Sequence, residues 1–308
     1  MNLINLNVKK ILGWLFIIVI NYCLFFFCIY ILSAILLVNK ITPNIKLISE
    51  YQRNYYVIGL RNIWQSQPEC IEFSDSQIYV PKETSCNFNN IEFKTIISFD
   101  EFGRTSDHPI NNNKNGIVVL GDSYAMGWGV NDKETFSYLL EKKINRPVYN
   151  LGVSGYGTIR ELIRFQESKL IDKVDTIIIQ YCYNDYGENV GYKKTTLDIA
   201  KKKYELVKKG VKFSIWEKLR KSFRYSITIP KDILTKKNKA MSFDHHNKAF
   251  IEVLKKFHFL KDKRIIVFYT NGYQQKFTNF PSSKSKVFDN LEYIDLNIEN
   301  DTNNFYLI

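Results

Sequence analysis

The strongest constraint on this 308-residue chain is an uncharged apolar run near its N-terminus. The run extends from Ile11 to Val38, which is long enough to cross a bilayer with some tilt. A cleavable signal peptide would have a shorter apolar core followed by a small-residue cleavage site, whereas Ser33 and Ala34 lie inside the run. The sequence therefore favours an uncleaved transmembrane helix over 11–38, after a tail at 1–10, and a signal peptide is the alternative.

The cysteines help to predict the orientation of this helix. Lys9 and Lys10 precede the apolar run and three basic residues follow it, so the positive-inside rule is nearly balanced. Cys70 and Cys86 lie in polar, loop-like sequence, close enough to form a disulfide, which would require an oxidising compartment. We expect an extracytoplasmic domain, periplasmic or at the cell surface. Two unpaired cysteines in a cytosolic domain are the alternative.

The basic charge of the chain is concentrated in one region. The formal net charge is +12, and about half of the Lys and Arg residues lie between Lys193 and Arg264. Such a region suits anionic surfaces, such as phospholipid headgroups or acidic polysaccharide. No Cys/His finger or RNA-recognition signature accompanies it, so nucleic acid is not an expected partner. No ligand cluster or phosphate-binding glycine loop predicts a metal or organic cofactor, and none is expected.

The rest of the sequence divides into two parts. Residues 39–110 are expected to form a juxtamembrane segment with short strands, for example at 78–80 and 91–97. A polar, turn-rich stretch then leads into a domain over 111–308. In that domain, short apolar runs predict five buried strands: 117–120, 148–151, 176–180, 264–270 and 291–296. Their alternation with helical patterns predicts an α/β fold, a doubly wound parallel sheet with helices on both faces.

Helical patterns separate these strands. Asp132 can cap a helix whose apolar residues share one face: Phe136, Leu139, Leu140 and Ile144. Thr158 and Glu161 have the spacing of a capping box and open a helix that carries Leu162, Ile163 and Phe165. A Lys-rich insertion over 186–262 follows the third strand. The four-residue spacing of Ile215, Leu219 and Phe223 indicates either a basic amphipathic lid on the membrane or a helical cap packed on the domain.

Polar residues follow the first three strands, and in open α/β sheets ligands bind at the carboxyl ends of strands. The first strand ends in Gly121-Asp122-Ser123, the second leads into a turn containing Gly155, and the third ends in Cys182-Tyr183-Asn184-Asp185. This order resembles the Gly-Asp-Ser, glycine and Gly-x-Asn-Asp blocks of the SGNH (GDSL-like) hydrolase family. The resemblance implies an SGNH or flavodoxin-like sheet.

The resemblance also implies a serine esterase or acyl-ester hydrolase that works through an acyl-serine intermediate on acylated cell-envelope carbohydrate or lipid. Residue by residue, Ser123 matches the nucleophile. The N–H groups of Ser123 and Gly155 and the Asn184 amide match the oxyanion hole, with Asp122 in support. Each such donor lowers the barrier by about 3 kcal/mol. An O-acyltransferase of surface polysaccharide and a catalytically inactive binding module are the alternatives.

Two features depart from the family pattern. Cys182 stands where the family has glycine, and it either crowds the oxyanion hole or packs in the core. The family's Asp-x-x-His block, which supplies the base, has no counterpart, because no Asp lies three residues before any of the four histidines: His108, His245, His246 and His258. Three interpretations stay open: a C-terminally incomplete domain, recruitment of His245 or His246, and loss of catalysis with binding retained. A histidine pair before a helix over 247–257 is more often solvated than catalytic.

Overall fold

The computed structural model describes residues 2–59, 61–108, 116–192, 196–209, 244–270 and 289–294, together with 217, 220, 224, 225 and 228. The chain divides into two compact units. The first is built mainly from Met1–Arg61 and Val211–Lys239, and the second mainly from Asn62–Gly210 and Ala240–Tyr306. The predicted stripe of Ile215, Leu219 and Phe223 lies outside the described residues.

Two helices form the described core of the first unit, α1 (Asn2–Val38) and α2 (Lys46–Gly59). Among the described residues, Lys10–Val38 is the one helical segment long and apolar enough to cross a membrane. Its apolar side chains are exposed, as at Trp14 and Phe16, so α1 is not the buried core helix of a soluble protein. An anchor and a signal sequence both fit this finding.

The second unit contains ten described strands. They are β1 (Ile71–Ser74), β2 (Ile78–Pro81), β3 (Ser85–Asn89), β4 (Lys94–Asp100), β5 (Gly103–Arg104), β6 (Gly116–Leu120), β7 (Val148–Asn150), β8 (Val174–Tyr181), β9 (Arg264–Tyr269) and β10 (Leu291–Ile294). β1 and β2 form an antiparallel hairpin, and the other eight form one sheet in the order β10-β9-β8-β6-β7-β5-β4-β3.

The large sheet has a parallel and an antiparallel part. Strands β10, β9, β8, β6 and β7 are parallel, as predicted from their apolar runs. Strands β5, β4 and β3 continue the same sheet in antiparallel orientation, so the sheet is mixed rather than parallel throughout. The prediction missed this because β3 and β4 alternate in burial, which is typical of strands with one solvated face, and β5 is only two residues long.

Helices cover both faces of the parallel part, which confirms the predicted fold class. The described helices of this unit are α3 (Ser123–Met126), α4 (Phe136–Ile144), α5 (Thr158–Glu167), α6 (Asp185–Gly191), α7 (Leu197–Lys209) and α8 (Asp244–Leu254). Val118 of β6 packs with Phe165 of α5 and Phe250 of α8, whereas Val119 packs with Leu140 of α4. Neighbouring residues of one strand thus contribute to two different cores.

The start of α4 differs from the prediction. Thr135, not Asp132, is its N-cap, and the Thr135 hydroxyl accepts a hydrogen bond from the Tyr138 N–H. Asp132 lies in a preceding 3-10 turn, where its carboxylate accepts from Arg104 Nε at 2.9 Å and from the Ser98 N–H at 3.0 Å. A long-range partner, absent from the local sequence, therefore determines the role of Asp132.

The prediction that four apolar residues of α4 share one buried face holds for only two of them. Leu140 and Ile144 pack against the sheet, but Phe136 and Leu139 are exposed. The buried residues of the helix are Ser137 and Glu141. The Glu141 carboxylate accepts from the Val148 N–H and lies 2.6 Å from His108 Nδ1. Although burial raises the pKa of Glu141, these hydrogen bonds outweigh it and lower the pKa.

The predicted capping box at the start of α5 is wrong. The N-cap is Gly157, and the Thr158 hydroxyl donates to the Asp185 carboxylate instead of capping its own helix. Glu161 is fully buried rather than turned back to the helix end. The helix itself and its buried residues Leu162 and Phe165 agree with the prediction.

A disulfide links the hairpin to the large sheet. Cys70 immediately precedes β1, Cys86 lies in β3, and the two residues are bonded with their Cα atoms 6.0 Å apart. The hairpin, which carries Tyr79, is therefore covalently tied to the sheet.

Candidate active site

The turn that carries Ser123 is built at the end of β6. The strand ends at Leu120, Gly121 turns the chain, and Ser123 is the first residue of α3 and is partly exposed. A Cβ at position 121 would lie 2.5 Å from Gln180 Oε1 and 2.6 Å from Ala125 Cβ, so glycine is needed here. The Asp122 carboxylate accepts from the Tyr124 N–H at 2.9 Å, which fixes the first turn of α3.

Gln180, the penultimate residue of β8, holds this turn through side-chain hydrogen bonds. Its Oε1 accepts hydrogen bonds from the N–H groups of Asp122 (3.1 Å) and Ala125 (3.2 Å). Its Nε2 donates to Thr270 Oγ1 at 2.6 Å, and the side chain is 1% exposed. Both the oxygen and the nitrogen of the Gln180 amide therefore form hydrogen bonds, which fix the side chain against the turn that carries Ser123.

The turn after β7 packs alongside the serine turn. The Val153 N–H donates to the Gly121 carbonyl at 3.0 Å, and Asn150 Nδ2 donates to the Ala125 carbonyl at 2.8 Å. A Cβ at Gly152 would lie 2.5 Å from the Met126 nitrogen, so the two backbones approach as closely as they can. This contact brings the residues before Gly155 against the turn that carries Ser123.

Gly155 is exposed and has a left-handed backbone conformation, with φ of +79°. A Cβ at this position would lie 2.8 Å from Tyr79 Oη. Two contacts hold the turn on either side of it: Tyr79 Oη donates to the Ser154 carbonyl at 2.7 Å, and Arg160 donates to the Gly155 carbonyl. Residue 155 therefore has to be glycine, and its conformation is held by side chains from β2 and α5.

Asn184 lies at the third strand end, immediately before α6. Its side chain is exposed, and its Nδ2 donates to the Asp122 carboxylate at 3.3 Å. An amide carries two N–H donors, so one of them is left for a second acceptor. Burial raises the pKa of Asp122, against the effect of the Tyr124 and Asn184 donors.

Cys182 packs in the core next to this site. It is 3% exposed, its side chain lies close enough to interact with the Asp122 carboxylate, and burial raises the pKa of its thiol. The structure thus brings the Asp122-Ser123 turn, the turn ending at Gly155 and Asn184 to one edge of the sheet, with Cys182 buried next to Asp122.

Comparison with known proteins decides the family. Residues 117–293, more than half of the chain, match the sequence profile of the GDSL-like lipase/acylhydrolases. The chain belongs to this family. Acyl-ester hydrolysis is the general chemistry of the family, and the three turns described above all lie within the matched residues.

Three solved structures that resemble this family member have low sequence identity to it. The SGNH-hydrolase family esterase AlinE4 is 17% identical, with 52% of this chain and 60% of that chain covered and a TM-score of 0.29. Two mutants of the same esterase are 16% and 15% identical, each covering 48% of this chain and 96% of theirs at a TM-score of 0.22. The chain thus spans less than two thirds of the first of these structures. No curated protein matches the chain.

Several residues of this GDSL-like site were not predicted from the sequence. Gln180 and Arg160 are two of them, and Gln65 is a third. Gln65 precedes the matched residues, accepts a hydrogen bond from the Ser154 hydroxyl at 3.0 Å, and has its Nε2 3.5 Å from where a Cβ of Gly155 would be. The distances in sequence, 89 residues for Gln65 and Ser154, explain why no local pattern indicated them.

A group of buried carboxyls lies behind the site. Asp185 accepts from the Thr158 hydroxyl and the Cys182 N–H, both at 3.2 Å. Within the described part of the chain, neither carboxylate oxygen of Glu161 has a hydrogen-bond partner. Burial, and then the Asp185 charge, raise the pKa of Glu161 well above its ordinary value. Burial and the Asp122 charge do the same for Asp185.

The two histidines considered as bases have different surroundings. His245 is exposed, whereas His246 is 2% exposed, so the expectation of a solvated pair is wrong for His246. The His246 ring stacks on Tyr186, and its Nδ1 lies 3.0 Å from Tyr181 Oη. Burial, followed by the neighbouring His245, lowers the pKa of His246. Its described contacts are thus with the end of β8 and with α6.

Proposed function

We propose that the chain is a membrane-anchored serine esterase in which Ser123 attacks acyl esters of cell-envelope carbohydrate or lipid. One observation carries the proposal: Ser123 begins a helix on a turn braced by Gln180, with the Gly155 turn packed alongside and Asn184 bonded to Asp122. The nucleophile and the donors it needs therefore share one edge of the sheet.

In the proposed reaction the Ser123 oxygen attacks the ester carbonyl carbon, and its proton passes to a base. The N–H groups of Ser123 and Gly155 and the Asn184 amide donate to the resulting oxyanion. At about 3 kcal/mol for each donor, they supply a large share of the barrier lowering that ester hydrolysis requires. The base returns this proton to the departing alcohol, which leaves an acyl-serine. Water then attacks the acyl carbonyl carbon while the base takes its proton and passes it to the Ser123 oxygen, so that the acid is released and Ser123 is restored.

The proposed location follows from α1 and from the disulfide. Lys10–Val38 is long enough to hold the domain at a membrane. The Cys70–Cys86 disulfide is stable in an oxidising compartment, which supports a periplasmic or cell-surface domain. The net charge of +12 favours an anionic surface, as expected for an enzyme of envelope glycan or lipid.

The test uses the full chain in lipid nanodiscs. A fluorophosphonate probe reports covalent labelling of an activated serine, and p-nitrophenyl acetate reports turnover. We expect the wild-type chain to be labelled and to hydrolyse the ester, and Ser123→Ala to do neither. Ser85→Ala serves as the control, because it removes an exposed serine hydroxyl of β3, whose described partner is the Ser98 hydroxyl, and leaves the candidate site intact.

Two further variants identify the base. If His245→Gln abolishes turnover and His246→Gln does not, the exposed histidine accepts the Ser123 proton, and the reverse result assigns His246. A folded wild-type chain that is neither labelled nor active would contradict the proposal and favour the inactive binding module. Acyl transfer to an added sugar, in excess over hydrolysis, would instead identify an O-acyltransferase.

A further inference from the structure

A cavity of about 550 Å³ opens beside Gly155. This volume is within the range of roughly 300–1,000 Å³ that is typical of small-molecule sites. Its walls come from the hairpin and from two helices of the insertion: Ile78 and Tyr79 of β2, Gly187 and Gly191 of α6, and Leu206 and Val207 of α7. Gly155, whose N–H is a proposed oxyanion donor, lies in the same lining.

Most polar groups of the lining are already bonded within the protein. Tyr192 Oη donates to the Ser76 carbonyl at 2.7 Å, and Tyr79 Oη donates to the Ser154 carbonyl at the same distance. Arg160 and Glu188 form a two-bond ion pair, so their charges offset each other. Lys203 adds one exposed ammonium group to the lining. The rest of the surface open to a ligand is mainly aliphatic side chain and ring surface, which suits an apolar group.

Two glycines add to the open space. Gly187 and Gly191 are four residues apart on α6, so they lie on one face of the helix. A Cβ built on either would meet no heavy atom of the described structure within 4 Å. Glycine is a poor helix former, and no atom of the described residues requires it at these positions. The two residues therefore weaken α6 and enlarge the cavity.

We propose that this cavity binds the acyl chain of the ester substrate, so that the enzyme prefers chains of medium length over acetyl. The inference rests on the proposed function, because the chain enters the cavity when its carbonyl oxygen is bound at Gly155. Gly155 is both a proposed oxyanion donor and part of the cavity lining, so a group attached to the carbonyl carbon can extend from it into the cavity. The apolar lining selects a hydrocarbon, and each methylene it buries strengthens binding of the transition state.

The experiment fills the cavity from α6 in the full chain in nanodiscs. Wild type is expected to hydrolyse p-nitrophenyl octanoate with a kcat/KM at least about tenfold above that for the acetate. In Gly187→Leu and Gly191→Leu, kcat/KM for the octanoate should fall about tenfold or more, and that for the acetate should change less than about twofold. Val190→Leu is the matched control, because Val190 is exposed on α6 and does not line the cavity.

An octanoate-to-acetate ratio that stays at the wild-type value in both glycine variants would overturn the proposal. So would a selective loss of octyl acetate turnover, since the cavity would then hold the alcohol. Circular dichroism of the variants establishes that they fold.

A binding measurement separates this proposal from the proposed function. Saturable binding of methyl octanoate to Ser123→Ala, measured calorimetrically against empty nanodiscs, should be lost when Gly187→Leu is added. If wild type hydrolyses no ester, the proposed function fails, and this binding result alone decides whether the cavity takes the chain.

Discussion

Replacement of Gln180 by methionine should loosen the turn that carries Ser123. The wild-type amide oxygen is the acceptor for two buried N–H groups, those of Asp122 and Ala125. Methionine has a similar length and fills the space, but its thioether is a weak acceptor. The main effect is therefore the loss of hydrogen bonds rather than a new cavity.

The expected magnitude follows from those bonds. Each buried N–H that loses its partner costs about 1–3 kcal/mol, so the two N–H groups together cost about 2–6 kcal/mol. Thr270 Oγ1 also loses its donor. Because all three groups contact one side chain, their effects are not additive, and we expect a total near 3 kcal/mol.

The assay is hydrogen exchange followed by mass spectrometry on the peptide that contains residues 118–128. A cost near 3 kcal/mol corresponds to roughly a hundredfold faster exchange of the affected amides if they open locally. Fluorophosphonate labelling of Ser123 should slow in parallel. Thr270→Val is the control, because it leaves the two N–H bonds intact and should accelerate exchange by less than about tenfold. Exchange in Gln180→Met that matches wild type would refute the view that Gln180 holds the turn.

Three further substitutions, the last with a control variant, test other parts of the second unit. Gly155→Ala should destabilise the protein by about 1–2 kcal/mol in thermal unfolding and lower esterase activity, because residue 155 has φ of +79°; an unchanged melting temperature would contradict this. Glu161→Gln should make stability less dependent on pH. The raised pKa of Glu161 gives stability that is complete below the ordinary glutamate value of about 4.3 and is lost as the pH rises through the raised pKa. The variant should therefore melt above wild type at pH 8, and a lower melting temperature there would count against the assignment. Arg160→Met removes the buried guanidinium and leaves the Glu188 carboxylate, which is 19% exposed, without its charged partner, and should cost about 3–5 kcal/mol. Arg146→Met, at an exposed ion pair, should cost at most about 1 kcal/mol, and equal losses in the two variants would refute the distinction.

The parts of the fold that could be predicted are those that the local sequence specifies. A strand buried on both faces needs a continuous apolar run, and β6 and β8 have one. Parallel strands place their carboxyl ends at one edge, so Ser123 and Asn184 could be expected to lie near each other before any coordinates were known. The antiparallel strands β3 and β4 lack such a run, because their buried and solvent-exposed residues alternate, and β5 is too short to show one.

Side chains whose partners are distant in sequence could not be predicted in the same way. The spacing of Thr158 and Glu161 fits a capping box, but Asp185, 27 residues away, accepts from the Thr158 hydroxyl. The pair His245 and His246 was expected to be solvated, yet the His246 ring contacts Tyr181 and Tyr186 and is buried. In both cases a tertiary contact overrides a local preference of about 1 kcal/mol.

The segment before the GDSL-like residues is part of the site's architecture. The matched residues begin at 117, yet Tyr79 and Gln65 hold the turn next to Gly155, and Tyr79 belongs to the hairpin rather than the large sheet. A two-stranded hairpin is only marginally stable alone. The disulfide closes a 16-residue separation and restricts the unfolded chain by about 3 kcal/mol, which favours the hairpin's place beside the sheet. The position of Gly155, and with it the proposed oxyanion hole and acyl cavity, therefore depends on a bond that an oxidising compartment maintains.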